Sequence, residues 1–183
     1  MRLCSTVCLL LLWTLPGQAT ETLHIDPRRS EASFSARLFW FRHVEGRMAE
    51  PQGQLQIDEN GRARVTVRLD IASARMDNPR REAMLRSPEF FDSDRYPLIR
   101  FQSGQFPVSS LWQGGTIDGQ LSMRGATHAV QFTLQPLRCD RQHISECLIR
   151  ADGEVKRSAF GMDTYRLALG DDVKLSLTIG FRR

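Results

Sequence analysis

Along most of this chain, apolar and polar residues alternate with a period of two. In "RVTVRLDI", Val65, Val67, Leu69 and Ile71 share one face, and Arg64, Thr66, Arg68 and Asp70 share the other. "AVQFTL" repeats the pattern through Val130, Phe132 and Leu134. "VKLSLTIGF" extends it through Val173, Leu175, Leu177, Ile179 and Phe181. Shorter versions occur in "TLHI", "SFSARL", "QLQID", "IRF" and "TIDGQLSM". Successive side chains of a strand point to opposite faces, so each segment predicts a strand with one buried and one wet side. That is the pattern of antiparallel sheets.

Turn residues punctuate the strands. Asn60-Gly61 joins "QLQID" to "RARVTVRLD" as a hairpin, and Gly114-Gly115, Gly125 and Asp152-Gly153 predict further turns. Roughly eight to ten strands at hairpin spacing make an all-β domain, either a sandwich or an up-and-down barrel. A barrel of about eight strands either fills with its own side chains or holds one small ligand. Periodicity does not separate these two outcomes.

Two segments break the alternation. In "DNPRREAMLRSPEFFD", Asn78 caps a helix that begins at Pro79 and is stopped by Pro88 after about two turns. Ala83, Met84 and Leu85 give it a partly apolar side, so it lies across a sheet edge or over an open barrel end. Phe90 and Phe91 follow in its irregular exit. Strand neighbours would diverge, but residues of an irregular segment need not, and burying both rings contributes roughly 3–6 kcal/mol. We therefore expect Met84, Leu85, Phe90 and Phe91 to form a lid. In "LFWF", Leu38 to Phe41, both faces become apolar. Either it forms an aromatic rim that meets a membrane, or the lid or a loop covers its outer face.

The N-terminus reads as a secretory signal peptide. Arg2 precedes an apolar run to Leu15, and Gly17 and Ala19 supply the small residues of a cleavage site. Cleavage after Ala19 leaves 183 − 19 = 164 residues, and the formal net charge falls from +4 to +3 with the loss of Arg2. One domain over residues 20–183, periplasmic or secreted, is the expectation. Cys4 and Cys8 leave with the leader. Cys139 and Cys147 remain, and they bracket "DRQHISE" between two strand-like segments as a disulfide clip. The arginines are spread among acidic residues without a basic block, which argues against nucleic acid as a partner.

Local catalytic patterns are missing. His24, His43, His128 and His143 form no H-x-H or H-E-x-x-H spacing, and no nucleophile elbow or phosphate-binding glycine loop occurs. Asp171-Asp172 beside Gly170 reads as a turn rather than an acid/base pair. We therefore expect neither a metal site nor an enzyme.

Several segments together resemble the YceI-like family of exported, lipocalin-like, polyisoprenoid-binding proteins. They are "HIDPRRSEASFSAR", "EGRM", "SARMDNPRREAMLRSPEFFDSDRYPLIRF", "GQLSMRGATHAV", "VKRSAFGM" and "LGDDVKLSLTI", in that order over nearly all of the mature chain. The resemblance implies an elongated antiparallel β-barrel of about eight strands with a short helix near one end. Its lumen would accept an extended lipid such as a polyprenyl chain or an isoprenoid quinone, with no other cofactor required. Some polar positions of the family are replaced. Leu38 falls near a frequent histidine, Arg81-Glu82-Ala83-Met84-Leu85 stands for R-D-x-H-L, and Met76 stands for a threonine. The resemblance therefore does not extend to any head-group contact made through those groups.

If alternate positions face the lumen, its lining comes from Phe34, Ala36 and Leu38, then Val65, Val67 and Leu69, then Ile99 and Phe101. Leu121 and Met123, and Val130 and Phe132, complete the alternating set, and Phe160 and Met162 join it from the segment that resembles the family's R-S-x-F-G-M element. Each is individually compatible with an ordinary core contact. Three functions follow: an exported carrier or store of an apolar lipid, with transient membrane contact; an enzyme acting on such a lipid; or a filled-barrel interaction module of a membrane redox or stress system. A homodimer through barrel edges or the aromatic rim is compatible with each.

Overall fold

The structure is a computed structural model that describes residues 20–182. The strands are β1 (Glu21–Ile25), β2 (Glu31–Leu38), β3 (Arg42–Ala49), β4 (Gln52–Ile57), β5 (Arg62–Asp70) and β6 (Ala74–Met76). They continue with β7 (Leu98–Ser103), β8 (Phe106–Pro107), β9 (Gly115–Met123), β10 (Ala126–Leu134), β11 (Leu148–Lys156) and β12 (Leu169–Arg182). Two short helices, α1 (Pro79–Arg86) and α2 (Ser110–Gln113), interrupt them. The expected leader, residues 1–19, lies outside the described residues.

All the strand pairs are antiparallel, and eight strands close on themselves in the order β1, β4, β5, β7, β9, β10, β11, β12, with β12 pairing back to β1. The architecture is thus an all-β antiparallel barrel, one of the two outcomes left open by the alternation and the one implied by the family resemblance. Beyond its pairing with β1, the long β12 also pairs with β2, and β2, β3 and β6 extend the wall from it. Short hairpins connect neighbours. The β9–β10 hairpin turns at Arg124 and Gly125, both at positive φ (49° and 76°), the mirror-image turn that matches strand twist.

Two expected turns are strand instead. Asp152 and Gly153 lie in the middle of β11, opposite Thr133 and Phe132 of β10. Asp152 faces outward and accepts hydrogen bonds from Ser176 Oγ (2.7 Å) and Gln135 Nε2 (2.8 Å). Gly153 faces inward beneath the Phe132 ring. Asp171 and Asp172 belong to the start of β12, where the register shifts between Leu169 and Val173. Asp172 accepts from Lys156 Nζ at 2.7 Å, and Asp171 accepts from the Ser158 amide and hydroxyl at 2.9 and 2.8 Å. Burial alone would raise the Asp171 carboxyl, but the Ser158 hydrogen bonds outweigh it and hold the group below its ordinary value.

The core divides along the strands. Leu23, Leu55, Ile117, Phe132, Ile149 and Phe181 pack one end together with Leu111 of α2. Met48, Ile71, Ile99, Leu121, Met123 and Val155 surround the other end with Leu85 of α1. At the first end, Cys139 and Cys147 form a disulfide with Cα atoms 6.0 Å apart. It clips the segment between β10 and β11, whose Ile144 is buried in the core.

The double variant Cys139→Ser/Cys147→Ser is expected to lose about 2–3 kcal/mol of stability, the chain-entropy value for so short a loop. Urea unfolding with and without a reductant measures this. Equal midpoints for parent and variant would show that the bridge does not constrain the unfolded chain.

Candidate functional site

The second end of the barrel encloses a cavity of about 330 Å³. Its wall is almost wholly apolar, within the size range of small-molecule pockets. From β2 come Phe34, Ala36 and Leu38; from β5, Val67 and Leu69; from β7, Ile99 and Phe101. Leu121 and Met123 of β9, Phe132 of β10 and Met162 join them. The structure therefore gathers most of the alternating positions singled out in the sequence around one space.

Three of those positions lie elsewhere. Val65 is half-buried among the residues of the packed end, and its amide donates to Ser103 Oγ at 2.9 Å. Val130 is half-buried between the two clusters. Phe160 is buried in the helical turn after β11 and meets His128 edge-to-face at 4.9 Å. Val65 and Val130 fit the inward alternation, which reports the face of a strand but not its position along the barrel, whereas Phe160 lies outside any strand.

Glycines opposite aromatic rings help keep this end open. Phe34 lies over Gly46 of β3, so that a Cβ there would meet the ring at 2.2 Å. Phe101 likewise covers Gly119 of β9, and Phe132 covers Gly153, at 2.4 and 2.8 Å. Each ring lies along the wall over a residue without a side chain, rather than projecting into the lumen. Phe101 and Phe132 meet edge-to-face at 5.0 Å, where the cavity wall adjoins the packed end.

The helix and its exit cover one side. Asn78 Oδ1 accepts from the Arg80 amide at 2.8 Å, the cap expected before Pro79. Glu82 Oε1 accepts from the Met76 amide at 3.0 Å, and Arg86 donates to the Ala74 carbonyl at 3.0 Å, which fastens α1 to β6. Phe90 and Phe91 are each 8% exposed and both line the cavity, as do Met84 and Leu85. The Phe91 amide donates to the Leu85 carbonyl at 3.0 Å, and Arg124 donates to the Phe90 carbonyl. Such a doubly fastened turn lets adjacent side chains share one side.

Sequence reasoning passed over several wall residues. Val173, Leu175 and Leu177 of β12 continue an alternation already visible there, and Val44 and Met48 do the same on β3. Arg157 carried no such signal. Its side chain is 3% exposed and borders the cavity, with Nε donating to the Gly170 carbonyl at 3.0 Å and Nη2 to the Leu169 carbonyl at 3.0 Å. Nη1 donates to the carbonyls of Met162 and Thr164. Burial lowers the pKa of the guanidinium, while Asp171 and Asp163 support its charge. Four carbonyls thus hold this cation in the wall and knit the loop 163–168 to β12. Among the described residues, no group of three His, Cys, Asp or Glu side chains is placed to hold a metal ion.

"LFWF" is not a covered strand. The chain turns at Phe39, Trp40 and Phe41 between β2 and β3, and these rings are exposed beside the cavity.

Comparison with known proteins agrees with this geometry. The family model of the YceI-like domain matches residues 23–181. A search of curated proteins finds no sequence match. Among solved structures, BcnA of Burkholderia cenocepacia superposes with a TM-score of 0.69 at 20% identity, covering 85% of this chain and 98% of that one. A polyisoprenoid binding domain from Saccharophagus degradans, implicated in plant cell wall breakdown, gives 0.62 at 13% identity over 87% and 97%. The Campylobacter jejuni YCEI protein gives 0.61 at 19% identity over 79% and 88%. At these identities the likeness concerns the fold.

Gly46→Ala is expected to drive Phe34 off the wall, at a cost of about 1–3 kcal/mol from overpacking, and to reduce uptake of an apolar fluorophore. Adding Phe34→Ala to it restores uptake; if Gly46→Ala alone leaves uptake intact, the glycine does not keep the lumen open. Arg157→Lys, which cannot reach all four carbonyls, is expected to lose about 3 kcal/mol in urea unfolding. An unchanged midpoint would show that these hydrogen bonds contribute nothing net.

Proposed function

The chain belongs to the YceI-like family, as the match over residues 23–181 shows, and on that footing we propose that it is an exported carrier of a long apolar lipid. The ligand class is an isoprenoid-type chain, either a polyprenyl lipid or an isoprenoid quinone, held in the barrel cavity. The observation that carries this reading is the cavity wall itself: it is apolar on nearly every side, and its rings are laid against glycines rather than packed into the space.

Such a wall suits a hydrocarbon chain. Burial contributes about 0.8 kcal/mol per methylene and needs no directional contacts, so chains of different length are tolerated. The Saccharophagus degradans domain, described as polyisoprenoid binding, supports the same ligand class. Binding rather than catalysis is the favoured reading, because both cations at the wall are already engaged, Arg157 by four carbonyls and Arg81 by the Asp77 carboxylate. No cofactor beyond the lipid is needed. Export to the periplasm or beyond is supported by the leader-like first 19 residues and by a disulfide, which persists in oxidising compartments. Loading and release then require transient contact with a membrane.

Mass spectrometry of organic extracts from the natively purified protein tests this, with Ala36→Trp and Val44→Phe as lumen-filling variants. The expected result is about one long-chain isoprenoid or quinone per parent molecule, with much less in variants that circular dichroism shows to be folded. A folded parent that carries no lipid and takes up none on incubation would overturn the carrier reading. An interaction module with an unused cavity would then take its place.

A further inference from the structure

The tip between β2 and β3 is the most exposed apolar feature among the described residues. Trp40 is 92% exposed and Phe41 is 77% exposed, and Phe39 beside them is also exposed. Phe39 has a φ of 55°, and its amide donates to the Ala168 carbonyl at 2.6 Å, which ties the tip to the loop before β12. That loop holds Leu167 fully in solvent and Tyr165 half in it, the Tyr165 ring stacked 6.0 Å from Phe90. Leu38, Val44, Tyr165 and Ala168 all border the cavity. Tip and loop therefore stand together on its rim.

Within residues 37–43 the charges have one sign, from Arg37 and Arg42, and there is no acid. The Arg42 guanidinium lies 5.9 Å from the centre of the Phe41 ring. Arg166, in the neighbouring loop, is paired with Asp163 and adds no free charge. Aromatic rings flanked by arginines match the interface of an anionic bilayer: the rings settle at headgroup level while the guanidiniums meet phosphate. A second copy packed tip to tip would set these arginines against their own kind, which disfavours self-association as the cover.

We propose that the Phe39–Phe41 tip, together with Leu167, docks the protein on an anionic phospholipid surface and brings the cavity rim to the membrane. The purpose of the docking rests on the carrier reading; its physics does not. Contact of this kind is weak and reversible, as suits a protein that must leave with its ligand.

Vesicle co-sedimentation tests the proposal, using phosphatidylglycerol mixed with phosphatidylethanolamine against phosphatidylcholine alone. The parent is expected to bind the anionic vesicles and to release as salt rises. Trp40→Ser/Phe41→Ser is expected to abolish binding, and Arg37→Gln/Arg42→Gln to weaken it by roughly an order of magnitude. Neither pair touches the cavity, so both variants are expected to fold as the parent does and to take up an apolar fluorophore from solution as the parent does. A parent that ignores the anionic vesicles, or an aromatic variant that binds them as the parent does, overturns the proposal. So does a parent dimer in sedimentation velocity that the aromatic variant turns into a monomer, because a second copy would then cover the tip. A lipid-loaded parent that ignores vesicles removes the docking alone, whereas an empty parent that docks removes only the carrier reading.

Discussion

A closed β-barrel must present apolar side chains to its interior along its whole length, yet nothing in that requirement decides whether the interior is filled. Here the volume is set by three rings lying on three glycines. Phe34, Phe101 and Phe132 would each occupy a large part of a narrow lumen if they projected inward. Over Gly46, Gly119 and Gly153 they lie along the wall instead. A glycine in a strand costs roughly 0.5–1 kcal/mol relative to alanine. Contact with an aromatic ring offsets much of that, and the remainder of the ring's surface becomes part of the cavity lining. The edge-to-face meeting of Phe101 and Phe132 then lies where a packed end adjoins a hollow one.

This explains which parts of the site were legible beforehand. Period-two alternation identifies the inward face, so Phe34, Val67, Leu69 and Leu121 were readable as inward residues. It says nothing about height along the barrel, and so Val65 and Val130 were grouped with them although they border other surroundings; Phe160 entered through its motif and lies in a turn beside His128. The paired Phe90 and Phe91 could be read as an irregular, buried turn because regular strand geometry forbids what their burial requires. Gly153 was misread because a glycine after aspartate signals a turn locally, whereas its role here depends on a ring from the neighbouring strand. Asp171 and Asp172 were misread similarly, since their partners Ser158 and Lys156 come from the preceding segment.

Arg157 was the least legible. A buried guanidinium has no local sequence signature, because what makes it tolerable is a set of carbonyls supplied by the fold. Its four acceptors lie between Met162 and Gly170, so one side chain organises the loop that shapes the rim. The cation stays in the wall because its hydrogen bonds are already made within the protein.

The two-ended core has a consequence for how such a molecule can vary. The packed end, with its disulfide and α2, contains contacts that do not involve the cavity wall. Substitutions that widen, narrow or reshape the hollow end therefore leave those contacts in place. The shape of the cavity is free to drift while the packed end is kept, because the two are written largely into different stretches of the same strands.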